Sequence, residues 1–318
     1  MQSPSARQLA WLGILLAAFG AATFATKGIV IKLAMAEGID AVTTLAWRMI
    51  VSVPVFAVAG AIAYRFKSAR RPADAPPLLD RTSVLRAMAV GVLGYWLASF
   101  LDFSSLAYIS AQLDRLILLT YPFFVVLFGA VLFRRRVTAG MIASLVVGYL
   151  GVAVIVARDI SAEGDHVVLG VSLVFGSAIA YALYQILAKP LIDRMGAALF
   201  TSIAMSTAGV AVAVHFLATH PVSALMVSEH ALWLMLAIGI LSTVIPAYSI
   251  SAAIGLIGSE RTAVIGNVSP LVTTTLAVTL LGEPFGPWHA VGTALVLAGV
   301  ILFTRLAKTV PPRAEPEP

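Results

Sequence analysis

Six charged side chains stand within or at the edges of long apolar runs: Lys27, Lys32, Arg48, Asp102, Asp114 and Arg115. Arg48 is permanently charged, and its planar fork of donors fits a carboxylate at two points at once. It is read either as a holder of a substrate carboxylate or as the partner of Asp102 or Asp114. Burial disfavours an ionised carboxyl and a neighbouring cation favours it. Asp102 therefore has two readings, a proton-coupling group or a fixed partner of Lys27 or Arg48. Tyr95 and Ser99 share its helical face, at spacings of three and four. Lys27 carries Gly20, Thr23 and Phe24 on its own face, a small groove suited to an ion pair or to a substrate or proton site. Asp114 opens a run, where a helix dipole favours an acid, so capping is its expected role. Arg115 points another way and is placed at an outer gate. Lys32 is near a helix end, from which it can snorkel to headgroups.

Uncharged candidates complete the set. Tyr121–Pro122 and Ser269–Pro270 are matching pairs, and proline frees a carbonyl that neighbours or a ligand must satisfy. Pro122, Pro246 and Pro270 are expected kinks. Tyr181, Tyr184 and Gln185 would face the cavity from the sixth helix, and Tyr248 and Asn267 from the eighth and ninth, with Ser242 and Ser249 near them. A single hydroxyl often bonds only to its own helix or a neighbour, so the grouping carries this reading.

Elements long enough to hold these residues are easily found. The chain has 318 residues, 60% hydrophobic and 11% charged, with a mean hydropathy of +0.98. A soluble domain has roughly 45–50% apolar and 25% charged residues, so lipid must cover the excess. Apolar runs occupy 10–33, 41–64, 84–109, 111–133, 139–157, 167–188, 197–218, 231–252, 261–281 and 287–305. The prediction is an all-α membrane protein of ten transmembrane helices. With the N-terminus inside, sixteen of the 21 basic residues fall on the cytoplasmic face, four lie in spans, and Arg158 alone is outside. That satisfies the positive-inside rule. It also makes the net charge of +6 a topology signal and not a nucleic-acid surface. Both termini are expected in the cytoplasm, and the tail 310–318 is expected to be disordered.

The two halves match. A shift of 157 residues brings Gly13 onto Gly170 and Ala25 onto Ala182; a shift of 148 brings Ile109 onto Ile257, Pro122 onto Pro270 and Gly151 onto Gly299. Tyr184 then takes the place of Lys27. Five spans per half is an odd number, so residues 1–158 and 159–309 are expected to be two five-helix repeats of opposite polarity.

At this point the chain resembles EamA-type members of the drug/metabolite transporter superfamily, over about residues 10–305. The resemblance rests on Gly20 to Lys27 followed by Arg48, and on the duplicated stretches Tyr108–Pro122 and Gly258–Pro270. It also rests on Leu281-Gly-Glu-Pro284 before the last helix. It implies a ten-helix bundle of inverted repeats that moves metabolites, amino acids or drugs, often outward, with no prosthetic group and in a bacterial inner membrane. One departure stands out: the first-half hairpin reads Arg134-Arg135-Arg136, and Arg135 occupies the position of Glu283.

The function expected is secondary transport of small organic solutes by alternating access, with efflux of amino-acid-like, anionic or zwitterionic compounds first. Uptake by the same fold, or a non-transporting scaffold, is the alternative. Partners are the solute, the bilayer and possible coupling protons, in a monomer or homodimer. No nucleic acid and no cofactor is expected. Zero cysteines exclude thiolate chemistry, and His166, His215, His220, His230 and His289 form no i, i+4 pair. No His-Glu-x-x-His, Gly-x-Ser-x-Gly or Walker motif is present. Neither an enzyme, a metal site nor direct ATP drive is expected.

Overall fold

The computed structural model describes residues 6–69, 79–133, 137–163, 166–266 and 268–309, and these are helical with no strand among them. Helices are what lipid permits, because each segment satisfies its own backbone groups. The helices α1 (Ala6–Ala25) and α2 (Lys27–Ala36) form one rod with a break at Thr26. There the Thr26 amide and hydroxyl both donate to the Thr23 carbonyl. Gly38, at φ 81°, turns the chain into α3 (Ala41–Ala69). Asp40 caps α3 by accepting from the Val42 and Thr43 amides at 2.8 and 3.0 Å.

Next, α4 (Arg81–Gly91) widens into a π-helical stretch, Val92–Leu97, and continues as α5 (Ala98–Ser105). After a turn come α6 (Ala111–Leu118) and α7 (Tyr121–Phe133), then α8 (Ala139–Glu163) and α9 (His166–Met195). The chain ends with α10 (Ala197–Thr219), α11 (Glu229–Gly239), a second π-helical stretch at Ile240–Val244, α12 (Ile245–Gly266), α13 (Ser269–Leu281) and α14 (Pro287–Thr309).

Eight described segments are long and apolar enough to cross a membrane, from Arg7–Ala36 to Glu229–Ile250. Ser269–Leu281 and Pro287–Phe303 are apolar but shorter. The expected helix 261–281 is not one unit. Its first residues extend α12 to Gly266, and Pro270 sits in the first turn of α13. A proline there has no helical hydrogen bond to lose and its φ is already helical, so it opens a helix where a kink was expected. Pro122 is likewise the second residue of α7, whereas Pro246 lies within the continuous helix Glu229–Gly266, directly after the π-helical stretch Ile240–Val244; Pro54 and Pro190 also lie inside helices. The Arg134–Arg136 hairpin and the tail 310–318 lie outside the described residues.

The strongest packing pairs α8 with α14, α1 with α12, α3 with α10 and α5 with α9. Small residues allow it. A Cβ at Gly299 would meet the Gly148 backbone at 2.6 Å, and one at Gly292 would meet the Gly151 carbonyl at 2.7 Å, so α8 and α14 touch backbone to backbone. A Cβ at Gly13 would press on Ile257 and one at Gly170 on Ile109, both at positions matched in the sequence halves. One apolar core joins α2, α3, α5, α10 and α11, and a second joins α6, α7, α8, α9 and α14. Outward-facing residues such as Val131, Val214, Leu217 and Trp233 are exposed and apolar, a surface made for lipid.

Candidate solute-binding site

The break at Thr26 sets Lys27 at the start of α2, aimed between helices. Lys27 Nζ reaches Asp102 Oδ2 on α5 at 2.7 Å, with only 12% and 3% of the two side chains exposed. Its ammonium also faces the rings of Phe24 and Phe103, 5.4 and 5.8 Å from their centroids. The other Asp102 oxygen, Oδ1, is buried without a hydrogen-bond partner. The ion-pair reading of Lys27 and Asp102 is thus realised.

Arg48 differs from expectation. It pairs with neither Asp102 nor Asp114. Its Nε donates to Thr243 Oγ1 at 3.1 Å and an Nη to Ser99 Oγ at 2.8 Å, while the guanidinium lies 5.6 Å from the Phe103 ring centre. Arg115 is similar. An Nη donates to Ser269 Oγ at 2.6 Å, the group stacks on Phe24 at 4.7 Å, and its Nε is buried without a partner. Among the described residues neither arginine has a carboxylate within ion-pair distance.

Asp114 also departs from its expected role. The cap of α6 is Ser110, whose Oγ accepts from the Leu113 amide at 3.1 Å. The first two free amides of α6, Ala111 and Gln112, donate to Glu283 at 2.7 and 3.3 Å. With its N-terminus occupied, α6 has no need of Asp114, which turns inward to the Ser105 hydroxyl at 2.7 Å. Lys32 does more than snorkel: it lies 3.4 Å from the same Glu283 carboxylate.

The tyrosines gather beside the charges. Tyr95 and Tyr184 share a hydroxyl–hydroxyl hydrogen bond of 2.9 Å. Tyr184 stacks on Tyr181 at 5.7 Å, and Tyr181 meets Tyr121 edge to face at 5.0 Å. The π-helical stretch makes room, since a Cβ at Gly94 would overlap the Tyr184 ring. Gln185 acts on the Tyr181 hydroxyl. Tyr248 is not drawn in; it is 42% exposed and stacks on Phe56. Asn267 lies outside the described residues.

Sequence reasoning missed Thr243, Ser105 and the ring of Phe103 as partners. Ser105 was within reach, because it follows Asp102 by three on one helical face. Thr243 and Phe103 could not be paired with Arg48 before the packing of α3, α5 and the second π-helical stretch was known. Lys27, Arg48 and Arg115 thus gather with Asp102 and Asp114 among aromatic rings and hydroxyls, with the N-terminal end of α6 tied to the α13–α14 hairpin.

An EamA-like transporter family model matches residues 11–157 and again 168–305. The chain is 26% identical over 289 residues to "Uncharacterized transporter YcbK" of Bacillus subtilis (strain 168), covering 88% of each. It is 26% identical over 232 residues to "Uncharacterized transporter sll1319" of Synechocystis sp., covering 70% of this chain and 68% of that one. A crystal structure of another protein, 19% identical, shares the fold at a TM-score of 0.57, over 95% of this chain and 97% of the other.

Proposed function

The chain belongs to the EamA-like transporter family, and we propose that it is a secondary carrier for small organic solutes bearing an anionic group. It is a multipass membrane protein of the transporter class, and family membership points away from catalysis. The observation that carries the solute class is the pair of guanidiniums, Arg48 buried and Arg115 half-buried with a buried Nε, without carboxylate partners among the described residues. A charge at the bilayer centre costs roughly 2.5–3.5 kcal/mol on insertion scales. Hydroxyls and ring faces offset part of that cost, and a solute carboxylate would offset more through the bidentate fork. Tyr95, Tyr121, Tyr181 and Tyr184 offer flat apolar faces and hydroxyls for the remainder of a zwitterion such as an amino acid.

The mechanism is alternating access between two inverted five-helix repeats, residues 1–158 and 159–309. Three features support it. Arg81, Val92, Tyr121 and Ala139 each open a helical element, and the residues 148 further on, Glu229, Ile240, Ser269 and Pro287, open elements of the same kind. The Gly13–Ile257 contact recurs as Gly170–Ile109. The family model matches twice. Counting α13 and α14 as spans gives ten, five in each half. The basic-residue asymmetry favours cytoplasmic termini, as in a bacterial inner membrane. The family resemblance favours efflux.

The test is exchange in proteoliposomes preloaded with a labelled mixture of amino acids, organic acids and amines. Wild-type protein is expected to exchange carboxylate-bearing solutes and leave simple amines behind. Exchange of amines alone, or of nothing, contradicts the reading.

A further inference from the structure

We propose that Asp114 is a proton-binding site of this carrier, loaded together with the solute anion. The inference rests on the transport reading above and adds the group that couples it to protons. Asp114 is 3% exposed, takes no part in capping α6, and is in no ion pair among the described residues. A buried carboxylate without a cation is costly, and protonation removes the cost. The local hydrogen bonds point the same way. Ser105 Oγ lies 2.8 Å from the Asp102 carbonyl oxygen and 2.7 Å from Asp114 Oδ1. A serine has one proton and a carbonyl only accepts. With Asp114 protonated, Ser105 donates to the carbonyl and accepts from Asp114, so both contacts are made. With Asp114 ionised, one of them is lost.

Asp102 is the less suitable proton carrier, because Lys27 holds it at 2.7 Å. The charged groups acting on Asp114 are Asp102 on α5, Lys27 on α2 and its own neighbour Arg115. Counting Lys27, Arg48 and Arg115 against Asp102 and Asp114, the cluster has one excess positive charge. Adding one proton at Asp114 and one monoanion at the arginines leaves that balance unchanged. Proton and anion therefore favour each other's binding, and linkage makes the coupling reciprocal. Both move in the same direction through the membrane, so an inward proton gradient drives uptake, the alternative direction for this fold, and the outward flux implied by the resemblance would run on the solute gradient.

The experiment is an infrared pH titration of the purified full-length chain in lipid nanodiscs, reading the C=O band of protonated carboxyls. The wild type is expected to show a band that fades as pH rises. D114N loses that band, D102N keeps it, and D114E, which retains a carboxyl, restores it at a shifted position. Persistence of the band in D114N and its loss in D102N, or no titrating band in folded wild type, overturns the proposal. None of these readouts depends on flux, so a failure of transport strikes the carrier reading and not this one. In proteoliposomes that do transport a carboxylate, an inward proton gradient speeds its entry several-fold in wild type and has no effect in D114N. Equal acceleration in D114N contradicts the coupling.

Discussion

Arg48 and Arg115 differ from Lys27 in one respect that decides their use. Lys27 has its carboxylate at 2.7 Å, whereas the arginines are held by Thr243, Ser99 and Ser269 and by phenyl rings. A hydroxyl can exchange for a solute oxygen at little net cost, while breaking a buried ion pair leaves an uncompensated charge. Arg115→Gln is expected to raise the half-saturation concentration for a carboxylate solute by about tenfold or more, since hydrogen bonds to charged groups contribute about 1.5–3 kcal/mol. Arg115→Lys restores only part of it, because the fork is lost; flux measured against solute concentration checks both. A second residue-scale prediction concerns Asp40. Burial works against its ionisation, but hydrogen bonds from the Thr43 side chain and from the Thr43 and Val42 amides, with His220 beyond, outweigh it and hold the carboxyl below the ordinary 3.8. A depressed carboxyl stabilises the fold above its unfolded value and loses that contribution as pH falls through its folded value, here below 3.8. Asp40→Ala should cost about 1 kcal/mol of stability at neutral pH, the usual worth of a helix cap, and nothing in strong acid; thermal melts at the two pH values decide it. At this scale the sequence exposed which charges sit in apolar runs. Their partners stayed hidden: Glu283 and Ser110 took the N-terminus of α6 from Asp114, and only tertiary packing brings residue 283 to residue 111.

Two features of the helices position those side chains. The first is the π-helical widening, Val92–Leu97 and Ile240–Val244, which rotates the following turns and admits Tyr184 beside Gly94. π-helical insertions recur at functional sites, and nothing in hydropathy marks them. The second is the proline that opens a helix. Pro122 and Pro270 were legible as interruptions, but whether a proline bends one helix or starts another depends on whether the preceding turn closes onto its own carbonyls. Here Thr120 donates to Ile117 O, ending α6 before Pro122. The apolar spans themselves were readable because lipid leaves the backbone no alternative to helix. The α8–α14 crossing gives the prediction for this scale. Gly151→Leu inserts a side chain where the Gly292 carbonyl would lie 2.5 Å from its Cβ. The expected loss is about 1–3 kcal/mol, typical of overpacking, read as a lower melting temperature in detergent, whereas Gly38→Asn, in open space with a φ that asparagine tolerates, should change little.

Across the whole molecule, acid–base pairs at helix ends tie together segments that are distant in the chain. Lys32 meets Glu283, Glu37 meets His230, Asp40 meets His220 and Asp159 meets His289. Together with the Glu283 contacts to α6, they hold these helix ends together. The matched glycines were legible in the sequence, and the packing of Gly13 on Ile257 and of Gly170 on Ile109 gives those matches a physical cause. Which helix ends meet was not legible, because that depends on contacts between segments far apart in the chain. Glu283→Ala removes the carboxylate shared by Lys32, Ala111 and Gln112 and, in the carrier proposed above, should favour the outward-open arrangement. The chain has no cysteine of its own, so a single Thr243→Cys beside Arg48 reports access to the site directly. In sealed, uniformly oriented vesicles, an impermeant thiol reagent is predicted to modify it from either side of the membrane, faster from outside when Glu283→Ala is added. Modification from one side alone, unchanged by Glu283→Ala, would contradict a carrier that exposes this site alternately.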